Sequence, residues 1–194
     1  PLAVIQGNLE GMLDGVIERD NEQISSLYEE TVHLNRLIKD LRDLSLAEAG
    51  QLSLEKAPTD VNQLVSRAVN MIKPLAEEKA IDVDCALQEL PVIEVDASRM
   101  SQVVYNLLTN AVRHTPESGN INVKTWANAQ DEFATIHISV CDNGPGIASE
   151  DLPHIFDHFY RADKSRTRAS GGSGIGLAIV KQLVETHGGT VHVE

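Results

Sequence analysis

Several things are scarce in this 194-residue chain, and each scarcity excludes something. Its two cysteines, Cys85 and Cys141, are too few for a disulfide scaffold. Both sit in strand-like runs and read as buried thiols in a reducing compartment. Basic residues are outnumbered, 16 Lys and Arg against 29 Asp and Glu, for a formal charge of −13. That balance argues against a nucleic-acid partner, because phosphate binding needs basic surface. No run approaches the roughly 18 apolar residues of a membrane span, and no signal peptide opens the chain. There is no internal repeat and no low-complexity segment. What is present is ordinary for a globular protein: 42% apolar and 23% charged residues, enough to exclude wholesale disorder. The length suits one or two domains and buries about 70% of the unfolded surface. The abrupt opening at Pro1-Leu2 and the stop at Val193-Glu194, inside a strand-like stretch, suggest a piece of a longer protein.

Apolar periodicity divides the chain. Leu2, Ile5, Leu9, Met12 and Val16 follow a heptad seam, and after the polar break Glu18-Arg19-Asp20-Asn21 a second seam runs through Ile24, Leu27, Thr31, Leu34, Ile38 and Leu41. Two such helices over residues 2–46 make an antiparallel hairpin. A hairpin alone cannot hide both seams, so pairing with a second copy into a four-helix bundle is favoured over packing onto the rest of its own chain. The expected organisation is a hairpin over 1–48, a linker over 49–57 and an α/β layer over 58–194.

Within that layer, Pro58 disfavours helix at Ala57, and Thr59 or Asp60 caps a helix over 60–80 that Pro74 should end or kink. Ile81–Leu87 and Val92–Val95 read as strands. A strong helix runs from Asp96 or Ser98 to Arg113, and strands over Ile121–Trp126 and Phe133–Cys141 pair. A final helix over Ile175–His187 stops at Gly188-Gly189 and leads into a strand over Thr190–Val193. The mixed order gives an α+β class, with helices on one face of a sheet.

Three clusters carry chemistry. Asn106, Asn110 and Arg113 share one side of a helix whose other side is Leu and Val. Spacing alone favours a solvated polar face, but two amides and a guanidinium also suit a Mg²⁺-phosphate ligand. Asp142-Asn143-Gly144-Pro145-Gly146-Ile147 follows a strand directly. It is either a tight Asn-Gly turn or a loop whose glycines admit a flat ligand while Asp142 accepts from an amino group such as adenine N6. Gly171-Gly172-Ser173-Gly174-Ile175-Gly176-Leu177 opens the last helix and presents N–H groups to phosphate oxygens. No βαβ unit surrounds it and no Gly-Lys-Ser/Thr follows, so Rossmann and P-loop readings fail. Between the last two clusters, Phe156, Phe159 and Tyr160 precede Arg161, Lys164, Arg166 and Arg168. That is either a solvated loop or, better, a basic nucleotide lid.

In this order and spacing the clusters resemble the N, G1, F and G2 boxes of bacterial two-component sensor histidine kinases, within the gyrase–Hsp90–kinase–MutL (GHKL) ATP-binding superfamily. The matching segments are Asn106-Leu-Leu-Thr-Asn110-Ala, Asp142-Asn-Gly-Pro-Gly146, Phe156-Asp-His-Phe159-Tyr-Arg161 and Gly172-Ser-Gly174-Ile-Gly176-Leu. The hairpin is similar to the family's dimerisation and phosphotransfer domain, so the resemblance covers essentially the whole chain. It implies a helical hairpin followed by a GHKL sandwich, with ATP and Mg²⁺ as cofactors. By resemblance Asn110 binds Mg²⁺, Asn106 assists near the metal or phosphates, Arg113 contacts phosphate and His114 lies against adenine. Asp142 accepts from adenine N6, with Gly144, Gly146 and Ile147 in the same loop and Gly146 allowing close approach. Gly172, Gly174, Ile175, Gly176 and Leu177 form the phosphate turn, Phe156 and Phe159 pack the lid, and Arg161 steadies the γ-phosphate end. Asn106, Arg113 and Arg161 are thereby the implied catalytic residues.

The related ATPases carry Glu where Asn106 stands, as general base on water. An amide cannot take that proton, so the site suits a separate nucleophile, a histidine imidazole. Positioning and charge neutralisation then carry most of the catalysis. The resemblance implies a homodimer through the hairpin, a response-regulator receiver domain as partner, no nucleic acid, and a longer protein anchored at the cytoplasmic side of the bacterial membrane. There are two departures. The family's acceptor lies in a His-Glu-x-x-x-Pro-Leu motif, so with Pro1-Leu2 at the start the histidine falls upstream, and His33 is not it. The family's terminal Gly-containing hairpin is absent after Glu194. The expected fragment binds ATP without phosphorylating its own histidines. The rivals are a water-using ATPase of the same superfamily and a nucleotide-sensing scaffold without kinase activity.

Overall fold

In the computed structural model, which describes residues 2–128, 135–161 and 174–193, helix α1 (Leu2–Leu13) stops before the polar break does. Val16, expected in the seam, lies beyond the helix and is 82% exposed. The cause is local. Val16 and Ile17 both donate backbone N–H to Gly11 O, and Ile17 folds over Gly11, where a Cβ would sit 2.7 Å from its Cδ1. Gly15 supplies the left-handed turn at φ 74°, and Arg19 Nε caps the Met12 carbonyl at 3.0 Å. Helix α2 (Asn21–Glu48) restarts on the Asp20 side chain, which accepts from Gln23 N at 2.8 Å. Its 28 residues make it about 42 Å long.

The seam residues Leu2, Leu9, Ile24, Ile38 and Leu41 are exposed, as is Leu13 beside them. The buried positions of α2 are instead Asp40, Asp43, Leu44 and Ala47, toward its C-terminal end. There the chain does pack on itself, so the hairpin both docks onto the rest of its own chain and leaves its seam open.

Strand β1 (Ala57–Thr59) begins at the last residue of the expected linker and pairs antiparallel with β3 (Ile93–Val95). Asp60, rather than Thr59, caps α3 (Val61–Glu77) through Gln63 N at 3.1 Å. Pro74 does not end α3, which continues to Glu77. The carbonyl that proline leaves unbonded belongs to Asn70, which is exposed to solvent, while buried Ile72 and Ala76 hold the last turn.

Strands β2 (Asp82–Leu87), β4 (Asn120–Asn128) and β5 (Thr135–Asp142) form the main sheet in the order β2-β4-β5. The β2–β4 pair is parallel, Val83 opposite Ile121, and the β4–β5 pair antiparallel, Val123 opposite Val140. The parallel pair demands a crossover, and α4 (Ala97–His114) lies within it. Ile121 and Val123 of β4 pack with Val65 and Ile72 of α3 and Val104 and Leu108 of α4 in the principal core. Helix α5 (Gly176–Thr186) joins Leu44 of α2 and Val103 of α4 in a second core through Ile179, Val180 and Leu183.

The expected α+β class holds, with corrections of detail. Both cysteines are exposed, not buried. Among the described residues Cys85 is on β2, which has a sheet neighbour on one side only, and Cys141 is on the face of β5 opposite Val140, across from Asn122. Phe133, expected in β5, lies outside the described residues. Thr190–Val193 forms no strand among the described residues: α5 ends in a Gly188-Gly189 turn, Gly189 N donating to Val184 O at 3.0 Å, and the residues that follow pair with no described strand.

Candidate functional site

Asp96 starts α4. Its Oδ1 accepts from Ser98 N and Arg99 N, both at 3.0 Å, and its Oδ2 from Glu55 N at 3.0 Å. Burial alone would raise this carboxyl's pKa, but the N–H groups of Arg99, Glu55 and Ser98, with the Arg99 charge, hold it below its ordinary value. With Val104, Leu108, Ala111 and Val112 buried, the helix presents Asn106, Asn110 and Arg113 on another side, the first two half-buried and the third exposed. No side-chain hydrogen bond occupies the Asn110 amide among the described residues, whereas Asn106 Nδ2 donates to Gly176 O at 3.4 Å. Desolvation lowers the pKa of Arg113, and the charge of Arg161 lowers it further. Arg161 thus lies close enough for its charge to act on Arg113, and two neighbouring cations suit a polyanion.

The end of α4 meets the loop after β5. Gly144 N donates to Asp142 Oδ1 at 2.9 Å. A Cβ at Gly144 would lie 2.6 Å from that oxygen and 2.8 Å from His114 O, so a side chain there would push the loop off the helix. Asn143 Oδ1 accepts from Asn120 N at 2.9 Å, pinning the loop to β4. Asp142 and Ile147 are exposed, and Gly146 has φ 73° with open space about its missing Cβ. Asp142, Gly144 and His114 therefore come together at one end of α4.

Gly174, Ile175, Gly176 and Leu177 open α5. Gly174 has φ 71°, and a Cβ there would meet the Phe159 backbone at 2.9 Å. Phe159 N donates to Gly174 O at 3.0 Å, fixing the lid to this turn. Phe159 itself is 61% exposed and left-handed at φ 61°, a strained conformation for a bulky residue, while Phe156 is half-buried. Tyr160 Oη donates to Asp151 at 2.6 Å, which raises the tyrosine pKa. Gly172 and Lys164, Arg166 and Arg168 of the expected lid lie outside the described residues.

The sequence reading missed the polar contacts between α2 and α4. Asp43 pairs with Arg99, and Gln102 Nε2 donates to Asp40 at 2.9 Å. Desolvation raises the Asp40 pKa. The signal was present: two carboxylates three residues apart next to an apolar seam. Beside them a cleft of about 340 Å³ separates Arg36 and Lys39 of α2 from Tyr105 and Asn106 of α4. Arg36 stands 5.1 Å from the centre of the Tyr105 ring. The segment before Phe159 also reaches α2, His158 lying 3.5 Å from Glu48.

A layered sheet with a capped amide-bearing helix, a glycine loop at its end and a glycine turn opening a neighbouring helix defines an ATPase-type α/β sandwich, here attached to a helical hairpin. Residues 95–194 match the family model of the histidine kinase-, DNA gyrase B- and HSP90-like ATPases, and residues 1–50 match that of the His Kinase A (phospho-acceptor) domain. The chain belongs to that ATPase family and, within it, to the two-component sensor histidine kinases. It is 35% identical over 191 residues to the signal transduction histidine-protein kinase BaeS of Escherichia coli K12, matching 98% of this chain and 40% of BaeS. The chain thus spans well under half of that relative. Among solved structures, the Acinetobacter baumannii histidine kinase AdeS aligns with a TM-score of 0.78 at 28% identity, over 96% of this chain and 84% of that one. Full-length ShkA in complex with AMPPNP aligns at 0.73 and 30% identity, over 93% of this chain and 37% of that one.

Proposed function

We propose that the chain is the ATP-using core of a protein-histidine kinase that phosphorylates a histidine upstream of Pro1 and relays the phosphoryl group to an aspartate on a response-regulator receiver domain. Asp142, with Gly144 and His114 beside it, would take the adenine. Asn106, Arg113, Arg161 and the Gly174–Gly176 turn would take the phosphates, and Asn110 would hold Mg²⁺. When bound, that ion neutralises phosphate charge. The observation that carries this reading is that Asn110, half-buried, shares one side of α4 with Asn106 and with Arg113, which lies within reach of the charge of Arg161, residue types suited to a magnesium–polyphosphate. The AMPPNP complex of ShkA supports it.

Asn106 sets the reaction class. Its amide cannot deprotonate water, so this residue's task is orientation, and the nucleophile is a separate imidazole; that disfavours the water-using ATPase. The exposed seam of α1 and α2 supports a homodimer. No described helix is long and apolar enough to cross a membrane, and anchoring at the cytoplasmic face of a bacterial membrane would belong to the longer protein. Two measurements test the proposal. Equilibrium dialysis should show Mg-ADP binding to this chain; no binding would instead support a scaffold whose site is degenerate and which only dimerises and docks partners. The longer protein, incubated with γ-labelled ATP, should acquire acid-labile, base-stable label, and its absence would sink the kinase reading.

A further inference from the structure

Helices α4 and α5 are joined by polar bonds at both ends of their contact. At the glycine-turn end the bond is Asn106 Nδ2 to Gly176 O, 3.4 Å. At the other end His187, the residue after α5, accepts the backbone N–H of Asp96 on Nε2 at 3.1 Å. Its Nδ1 lies 2.7 Å from Leu183 O and must donate to it. Those two bonds require one form of the ring: neutral, with the proton on Nδ1. From Asp96 to Asn106 is about 15 Å of α4, and from Gly176 to His187 about 16 Å of α5, so the two bonds bracket the whole length of the contact.

Resting on the nucleotide reading above, we infer that His187 is a positioning residue for the phosphate subsite: it fixes the pitch of α5 against α4 and so the distance of the Gly174–Gly176 turn from Asn106 and Asn110. Ile179, Val180 and Leu183 hold α5 in the second core without it. Apolar packing of that kind sets contact but not register along the helix. Losing the distal bond leaves α5 seated and lets its glycine end shift. The adenine end depends on Asp142 and Gly144, which α5 does not carry, and so stays as it is. The same node takes the Glu55 N–H of the segment leading from the hairpin. Through Arg99 it also neighbours Asp43 of α2, so hairpin and phosphate turn are tied to one residue, Asp96.

The test titrates AMPPNP and, separately, adenosine into the full chain and two variants. His187→Phe keeps a ring and loses the acceptor, whereas His187→Gln keeps an acceptor. His187→Phe should weaken AMPPNP by roughly five- to tenfold and leave adenosine within about twofold, with His187→Gln restoring most of the loss. Unchanged AMPPNP affinity in His187→Phe, or equal losses for both ligands, overturns the inference. Nitrogen-15 spectra of the wild-type imidazole decide it even if His187→Phe does not fold: the Nδ1–H neutral form is expected, and an Nε2–H form overturns it. Absence of AMPPNP binding to the wild type would instead be the failure of the nucleotide reading.

Discussion

The hairpin and the sandwich dispose of apolar surface in opposite ways. Helix α1 buries one residue of twelve, Met12, whereas α3 buries seven of seventeen, at Val61, Leu64, Val65, Ala68, Val69, Ile72 and Ala76. Both stretches read as apolar stripes in the sequence, but among the described residues the second is covered far more fully than the first. A periodic stripe reports that a face will be covered, not what covers it. The sharpest break of this contrast would be equal sensitivity to truncation. Leu108→Ala, at a fully buried position, is expected to cost about 3–4 kcal/mol in urea unfolding. Leu13→Ala, 75% exposed, should stay within about 0.5 kcal/mol at dilutions where the chain is monomeric. It should weaken self-association in sedimentation at higher concentration. Comparable unfolding losses at both sites would refute the contrast.

Where the regions meet, the contact is part apolar, through Leu44, and part charged. Asp43 is buried, so removing its partner leaves a carboxylate without compensation. Arg99→Ala is expected to destabilise by about 2–3 kcal/mol. A double-mutant cycle with Asp43→Asn should give a coupling of at least about 1 kcal/mol. Additive losses would show that the Asp43–Arg99 pair does not couple the hairpin to the sandwich. The effect of the site itself is smaller in stability and larger in binding. Asp142 is exposed, so Asp142→Ala should leave the unfolding midpoint in place and weaken Mg-ADP about tenfold or more by calorimetry. Retained affinity would remove the adenine role from this carboxylate.

Much of the sandwich was legible because its signals are local. The cap at Asp96, the stripe of Val104 and Leu108 and the stop at Gly188-Gly189 each depend on neighbours within a turn or two. So did the juxtaposition of Asn106, Asn110 and Arg113 on one side of α4. What was not legible depends on distant chain. The exposure of Cys85 and Cys141 follows from strand order and ladder register, and burial of Asp43 from an arginine 56 residues away. The early stop of α1 is a different case: Gly11 and Gly15 lie in plain view, but the heptad pattern through Val16 outweighed them. The continuation of α3 past Pro74 shows the same competition with the opposite winner, packing of Ile72 and Ala76 overriding the breaker.

The smallest expected effect probes the node where hairpin, linker and sandwich meet. Asp96 binds three backbone N–H groups, and its pKa in the folded chain lies below the ordinary carboxylate value of about 4. A group depressed in this way stabilises the fold above its unfolded pKa. That contribution is lost as pH falls from about 4 through the lower folded value. Asp96→Asn keeps a capping oxygen but has no charge to titrate, and turns an amide toward part of the same set of donors. It should therefore cost about 1 kcal/mol at pH 7. Its deficit relative to wild type should shrink as pH drops below about 4, because only the wild type loses the carboxylate there. Urea midpoints of both proteins at pH 7, 4 and 3 measure this. A deficit that stays constant across that range would mean the three N–H bonds do not distinguish a charged oxygen from a neutral one, and that the hub is held by geometry alone.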